Sequence, residues 1–277
     1  MKHINKAIPP ALGLALLAPA ARAQNFTYTT GDLVAAFRQA GASSDLEVDL
    51  GPVTTYENAS APISISQFTS SQLSSAFGSL NGVSFSVFGT QGPSGGVGTD
   101  SAYTSYLTLA RTSPGTPTTP PNGYNNPTSH SIASAINGIE GVGASSGALV
   151  YSPNATYPPS SQTAILIPTS GASSANSFTT KFTATAGLQS LVASPGIENT
   201  TPANFTTTPG ATAVSDLYLY APGTSGHPAT LEGDFVFDNS GDLTFNPVSV
   251  PEPGTITLAA IGGIALLGVV RSRARKI

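Results

Sequence analysis

Apolar and polar residues alternate with a period of two through much of residues 24–250, and a chain patterned this way buries its apolar side chains most readily as β-sheet. In Asp45 to Leu50, Leu46, Val48 and Leu50 point one way and Asp45, Glu47 and Asp49 the other. Gly82 to Phe88 sets Val83, Phe85 and Val87 against Ser84 and Ser86, and Phe178, Thr180, Phe182 and Ala184 alternate with Thr179, Lys181 and Thr183. Near the end, Phe235 and Phe237 lead into Asp238-Asn239-Ser240-Gly241-Asp242, and Leu243 and Phe245 follow, which predicts a β-hairpin with its turn residues in the loop. Tyr103 to Ala110, Thr163 to Ile167 and Asp216 to Tyr220 also read as strands.

Two segments break the alternation. Thr69 or Ser70 is a suitable cap for a helix over Ser71 to Phe77, with Gly78 as its stop. Ser129 to Ile139 carries Ile132, Ala135, Ile136 and Ile139 at helical spacing and runs out at Gly141 and Gly143. Asp32 to Gln39 fits either a helix or a strand. Five prolines, Pro114, Pro117, Pro120, Pro121 and Pro127, crowd residues 113–128, which predicts an exposed loop and a candidate boundary between two halves. No repeat of fixed period is visible, which argues against solenoids and propellers. The predicted fold is α+β and β-rich, antiparallel strands with a few short helices, flanked by an N-terminal signal helix and a C-terminal transmembrane helix.

Those flanks are read from order and charge. Lys2, His3 and Lys6 precede the apolar run Ala11 to Ala18, and Ala21-Arg22-Ala23 follows in the form cut by signal peptidase. Residues 1–23 therefore read as a signal peptide, with Gln24 the first residue after cleavage at Ala21 and Ala23. At the other end Val250-Pro251-Glu252-Pro253-Gly254 precedes the uncharged stretch Thr255 to Val270, then Arg271, Arg273, Arg275 and Lys276. At about 1.5 Å per residue the apolar stretch reaches roughly 24 Å as a helix, somewhat under the ~30 Å hydrocarbon core. Snorkelling arginines and local thinning close that gap. The basic tail places those last residues in the cytoplasm, so residues 24–250 face outward.

Pro251, Glu252 and Pro253 set immediately before a terminal apolar helix with a basic end resemble the PEP-CTERM sorting domain, the signal recognised by exosortase. The resemblance covers residues 251–277 and implies a Gram-negative source. It also implies transient anchoring in the inner membrane, processing near the Pro-Glu-Pro motif, and release to the cell surface or an exopolysaccharide matrix. A plain uncleaved anchor is the alternative. A GPI signal fits less well, because its hydrophobic tail does not end in a basic cluster. The block from Ala229 to Phe245 and the block near Tyr28 to Leu33 are similar to segments of uncharacterised PEP-CTERM proteins, which imply no activity.

Between the two flanks only Arg38, Arg111 and Lys181 face thirteen acids, a net charge of −10 against −4 for the whole chain. Such a surface repels nucleic acid and anionic polymers. The chain has no cysteine, which removes thiol nucleophiles, thiolate metal sites and disulfides together. Ser, Thr and Gly carry much of the remaining composition.

Candidate chemistry is sparse, and no cofactor or metal-ligand set is read from it. Two segments match G-x-S-x-G, at Gly92 to Gly96 around Ser94 and at Gly143 to Gly147 around Ser145. Neither sits between an entering strand and a leaving helix, as a nucleophile elbow requires. His130 and His227 are the histidines left for a triad, both beside turn-forming residues. Asp45, Glu47 and Asp49 form one acidic stripe and Glu232, Asp234, Asp238 and Asp242 another. Both read as solvated faces, and a Ca²⁺ site would draw its oxygens from a loop. Five sequons, at Asn25, Asn58, Asn154, Asn199 and Asn204, follow from composition. Tyr151, Tyr157, Tyr218 and Tyr220 are candidates to stack on sugars, or to be core and edge residues. Two functions stay in contention: a structural or adhesive protein associated with exopolysaccharide, with no catalytic residue, and a secreted hydrolase of matrix polysaccharide.

Overall fold

The computed structural model describes residues 29–92, 101–140, 163–170, 177–183 and 196–248. Both expected flanking helices, the cleavage site at Ala21 and Ala23, the Pro251-Glu252-Pro253 motif and the basic tail lie outside these residues. Among the described residues no helix is long and apolar enough to cross a membrane.

Among the described residues ten strands make one antiparallel sheet. In chain order they are β1 (Asp32–Gln39), β2 (Ser44–Pro52), β3 (Ile63–Ser64), β4 (Val83–Thr90), β5 (Ser105–Ala110), β6 (Ala164–Pro168), β7 (Asn199–Thr200), β8 (Thr212–Tyr220), β9 (Thr230–Asp238) and β10 (Leu243–Pro247). They lie side by side as β3-β10-β9-β8-β5-β4-β1-β2-β6, with β7 also pairing with β4. A side-chain bond ties the segments flanking the two edge strands: the Thr163 hydroxyl just before β6 donates to the Gln67 carbonyl just after β3, at 2.6 Å. The strands before and after the proline-rich loop pair directly, β5 with β8, so this loop joins parts of one sheet.

Both faces of the sheet are covered. One packs Phe37, Phe85, Phe235, Phe237 and Phe245 against Tyr56 of α1 (Thr54–Glu57) and Leu73 and Phe77 of α2 (Ser70–Phe77). Rings meet at 5.0–6.1 Å: Phe37–Phe237 and Phe235–Phe245 are tilted, Tyr56–Phe245 is edge-on and Phe37–Phe85 is stacked, offset geometries that aromatic quadrupoles favour. The other packs Val34, Ala36, Phe88, Leu107 and Ile165 against Ile132, Ile136 and Ile139 of α3 (Asn126–Glu140) and Phe178 and Phe182 of α4 (Phe178–Thr183).

This double cover explains why Asp32–Gln39 is ambiguous as sequence. Residues Leu33 to Phe37 are all fully buried, odd positions on one face and even on the other, so the strand has no polar side to alternate with. Helix α2 follows the expected signals. Thr69 accepts from the Gln72 amide while the Gln72 side chain accepts from the Thr69 amide, and Gly78 closes the helix with φ +71°.

One expectation is corrected. The alternating segment from Phe178 is helical through Thr183, not a strand. Phe178 and Phe182 are four apart, so a helix places both on one face as well as a strand would. The Phe178 ring stacks on Phe88 at 5.5 Å, and sheet contacts of this kind decide between the two.

Candidate functional site

The residues singled out for chemistry fall into three places. The first is the acidic stripe of β2. Asp45 and Glu47 lie on the sheet face covered by α4, where Ala36 pairs with Glu47 across the β1–β2 ladder. The cover leaves Asp45 1% and Glu47 0% exposed, so the expected solvated face is an interior one. The carboxylates meet the open end of α4. Glu47 Oε1 accepts from the Phe178 amide at 2.8 Å. Asp45 accepts from both the amide and the hydroxyl of Thr179, each at 2.7 Å. The Ser177 hydroxyl takes the Thr180 amide at 3.1 Å. The first amides of the helix, which have no partner inside it, are thus satisfied by a strand remote in sequence. The positive end of the helix dipole faces both carboxyls.

Burial pushes the Asp45 carboxyl up, opposed by the Thr179 bonds and the Arg38 charge. Arg38 is itself fixed. Its guanidinium makes two 2.5 Å bonds to Glu198 and lies 5.0 Å over the Phe182 ring. Asp49, third in the stripe, accepts from the Gly51 amide at 2.8 Å, and burial, with the charge of Asp32 adding to it, pushes its carboxyl up to about 6.

The second place gathers Arg111, Asp216 and Asp234. Asp216 is 0% exposed and sits directly across the β8–β9 ladder from Asp234. Arg111 bridges the two, to Asp216 through Nε at 2.9 Å and to Asp234 at 3.0 Å, with a further Nη2 contact to Asp216. Asp216 also accepts from the Thr118 amide at 2.6 Å, and the Tyr218 hydroxyl donates to the Thr118 carbonyl. The Thr118 hydroxyl reaches Ala110 at 2.9 Å. The proline-rich loop is therefore tied to the sheet at Thr118, and further along the Gly123 amide donates to the His227 carbonyl at 2.6 Å, while Ser113 to Pro117 stand exposed. Beside it lies a shallow groove of about 280 Å³ edged by Ser113, Pro114, Asn199, Pro202 and Thr212.

The third place is the β9–β10 turn. Asp238 accepts from the amides of Ser240 and Asp242 at 2.8 and 3.1 Å, a side chain holding its own turn. Asp234, which the sequence groups with it, belongs to the Arg111 network and also accepts from Asn246 at 2.9 Å.

Among the described residues no three His, Asp or Glu side chains converge as a metal-ligand set. His130 and His227 are both exposed, on α3 and on the β8–β9 connection. Ser94, Ser145, Tyr151 and Tyr157 lie outside the described residues. Tyr218 and Tyr220 are buried at 3% and 2% exposure, so they are core residues and not sugar platforms. Burial raises the carboxyl or hydroxyl of each titrating group in these clusters whose shift is resolved, and at Tyr220 the neighbouring Tyr124 and Tyr218 add to it. The arrangement that sequence reasoning missed is the trans cap of α4. Only the acid spacing on β2 and the Ser-Phe-Thr-Thr start of the helix hinted at it.

Residues 249–276 match the PEP-CTERM protein-sorting motif. The match implies an exported protein with exosortase as its processing partner and a membrane-transient route to the cell surface. No curated protein and no solved structure matches the chain.

Proposed function

We propose that residues 24–250 form a non-catalytic structural or adhesive protein of the extracellular matrix, retained by association with exopolysaccharide. The observation that carries this reading is the use to which the charged side chains are put. Asp45, Glu47, Arg38, Glu198, Arg111, Asp216 and Asp234 are the residues a catalytic site would draw on, and each is engaged with the fold. Catalysis needs titratable groups turned toward a shared cleft with a free reacting edge. Here the carboxylates face helix ends, guanidinium groups and turns.

Association asks for less. Hydroxyl-rich, weakly charged surface around an acidic domain suits a neutral polymer, and many weak contacts along a chain add up through multivalency. The sorting motif supports the same setting, since it delivers the domain to the cell exterior. In this reading the signal peptide is removed by signal peptidase, the inner membrane holds the chain only transiently, and the basic tail Arg271, Arg273, Arg275 and Lys276 stays behind after exosortase acts.

The test is to recover the protein from the producing bacterium and mix it with that organism's purified exopolysaccharide. The reading expects co-sedimentation with no change in polymer length, and an intact mass for a chain beginning at Gln24 and ending near Val250. Shortening of the polymer would instead support the hydrolase. Surface protein that still carried Arg271 to Ile277 would contradict the sorting route.

A further inference from the structure

We propose that the connection between β8 and β9, Ala221 to Ala229, is the surface against which exosortase seats when it processes this chain. The inference rests on the sorting motif and goes beyond it, since the motif says nothing of the folded residues its enzyme meets. It begins from where the two flanks leave the sheet. The cross-strand pairs Leu33–Gly89, Gly89–Tyr106, Tyr106–Leu219 and Leu219–Thr230 form one row across β1, β4, β5, β8 and β9. The chain enters β1 at this row, where the Gly31 amide donates to the Thr90 carbonyl at 3.1 Å. It leaves β10 beside the same row, where Pro247 pairs with Gly233. The flank with the expected signal peptide and the flank with the sorting motif therefore emerge at one end of the sheet. The β9–β10 turn lies at the other end, roughly 27 Å away along β9 at about 3.4 Å per residue.

Spacing then decides what a processing enzyme touches. The Val248 amide is still held, by the Glu232 carbonyl at 3.1 Å, and the Asn246 side chain donates to Asp234 at 2.9 Å. Beyond that hold, Ser249 and Val250 alone separate Val248 from Pro251. Three steps of at most about 3.6 Å keep Pro251 within ~11 Å of Val248. One helix with its side chains is about 10–12 Å thick, so an enzyme that encloses the motif with a single layer already reaches the sheet. On the way it meets the β8–β9 connection. β9 runs past the last pair of β10, from Gly233 back to Thr230, and the connection stands beyond that.

This connection is built as a fixed surface. The His227 carbonyl accepts from the Gly123 amide at 2.6 Å, and the His227 amide donates to the Thr224 carbonyl at 2.9 Å. The Thr224 hydroxyl donates to the Ala221 carbonyl at 2.6 Å. Ser225, His227 and Pro228 are exposed nonetheless. A surface already held in place loses little conformational freedom on docking. Its chemistry favours a protein over the lipid beside it. The connection carries no lysine or arginine, the groups that anionic headgroups attract. Arg38 and Arg111 stand toward the far end of the sheet, Arg38 paired with Ser84 and Arg111 next to the Ala110–Ser215 pair.

The test expresses the full-length gene in a deletion strain of the producing bacterium, with photoreactive benzoylphenylalanine in place of Ser225 or, at the far end, of Ser240. Illumination during processing should join the Ser225 derivative to exosortase and leave the Ser240 derivative unjoined. In a second arm, Ser225→Asp with His227→Asp puts two charges into the contact. Pulse-chase should show this variant processed about fivefold more slowly, while the released protein melts as wild type does. A flexible insert of about twelve Gly and Ser residues after Val248 carries the motif clear of the connection and should abolish the difference between variant and wild type. Three results would overturn the inference and leave the sorting route in place: Ser225 adducts with lipid alone, equal adducts from both positions, or wild-type processing of the double variant. Processing that continues in a strain without exosortase would instead remove the sorting route, and this inference with it.

Discussion

The acidic stripe of β2 and the acids of the β9–β10 turn look alike as sequence, carboxylates alternating with apolar residues on a strand or gathered at a turn. The fold treats them oppositely. Asp45 and Glu47 are driven inside and given the amides of α4, whereas Asp238 stays at the surface and holds only its own turn. The difference lies in what stands above each strand. β2 is roofed by α4, so its polar residues must find partners or the sheet cannot form there. The turn is open to water, which solvates whatever the backbone leaves. A carboxylate on a strand is therefore informative only together with the element that covers it.

The widest gap between the two regions should appear on truncation. Asp45→Ala combined with Glu47→Ala strips the α4 amides of their acceptors in a buried place and should cost about 3–5 kcal/mol. Urea denaturation of the exported protein measures it. A loss under about 1 kcal/mol would mean the two acids are not buried acceptors.

The pH dependence sharpens the contrast. Asp49 titrates at an ordinary 3.8 when unfolded and at about 6 in the fold, chiefly through burial. Between those values the folded state holds a proton that the unfolded state has released. Its contribution is therefore greatest below about pH 4 and is lost as the pH rises through about 6. Asp45 and Asp32 are raised by the same cause and act in the same direction. The melting temperature should be higher at pH 5 than at pH 7. Asp49→Asn retains an acceptor for the Gly51 amide and should gain about 1–2 kcal/mol at pH 7, after allowance for solvent screening, while flattening the profile. A profile that rises toward pH 7 would contradict the burial of these acids.

The turn should respond least. Asp238→Ala frees two exposed amides that water can solvate, so the expected loss is about 1 kcal/mol, read in the same urea experiment.

How far the sequence foresees this arrangement depends on whether a signal is local. The capping box at Thr69 and Gln72 and the stop at Gly78 are complete within ten residues, and α2 is found where they predict. The Phe235 to Phe245 hairpin carries its own turn and is equally legible. Asp32–Gln39 defies a periodic reading because Val34 and Ala36 pack into one core while Leu33, Ala35 and Phe37 pack into the other. Phe178–Thr183 is misread as a strand because its threonines favour β structure, and nothing nearby reveals that Asp45 and Glu47, more than a hundred residues earlier, cap it as a helix. The same long-range contact hides the stripe's real orientation.

The central claim is that the β2 carboxylates are consumed in capping α4. Amide hydrogen exchange resolved at Phe178 and Thr179 tests it most directly, with the Ser240 and Asp242 amides of the turn as an internal reference. Phe178 and Thr179 should be strongly protected in the wild type, and Asp45→Ala with Glu47→Ala should remove that protection while Ser240 and Asp242 exchange as before. Phe178 and Thr179 amides that exchange freely in the wild type, or that keep their protection without the two acids, would contradict it.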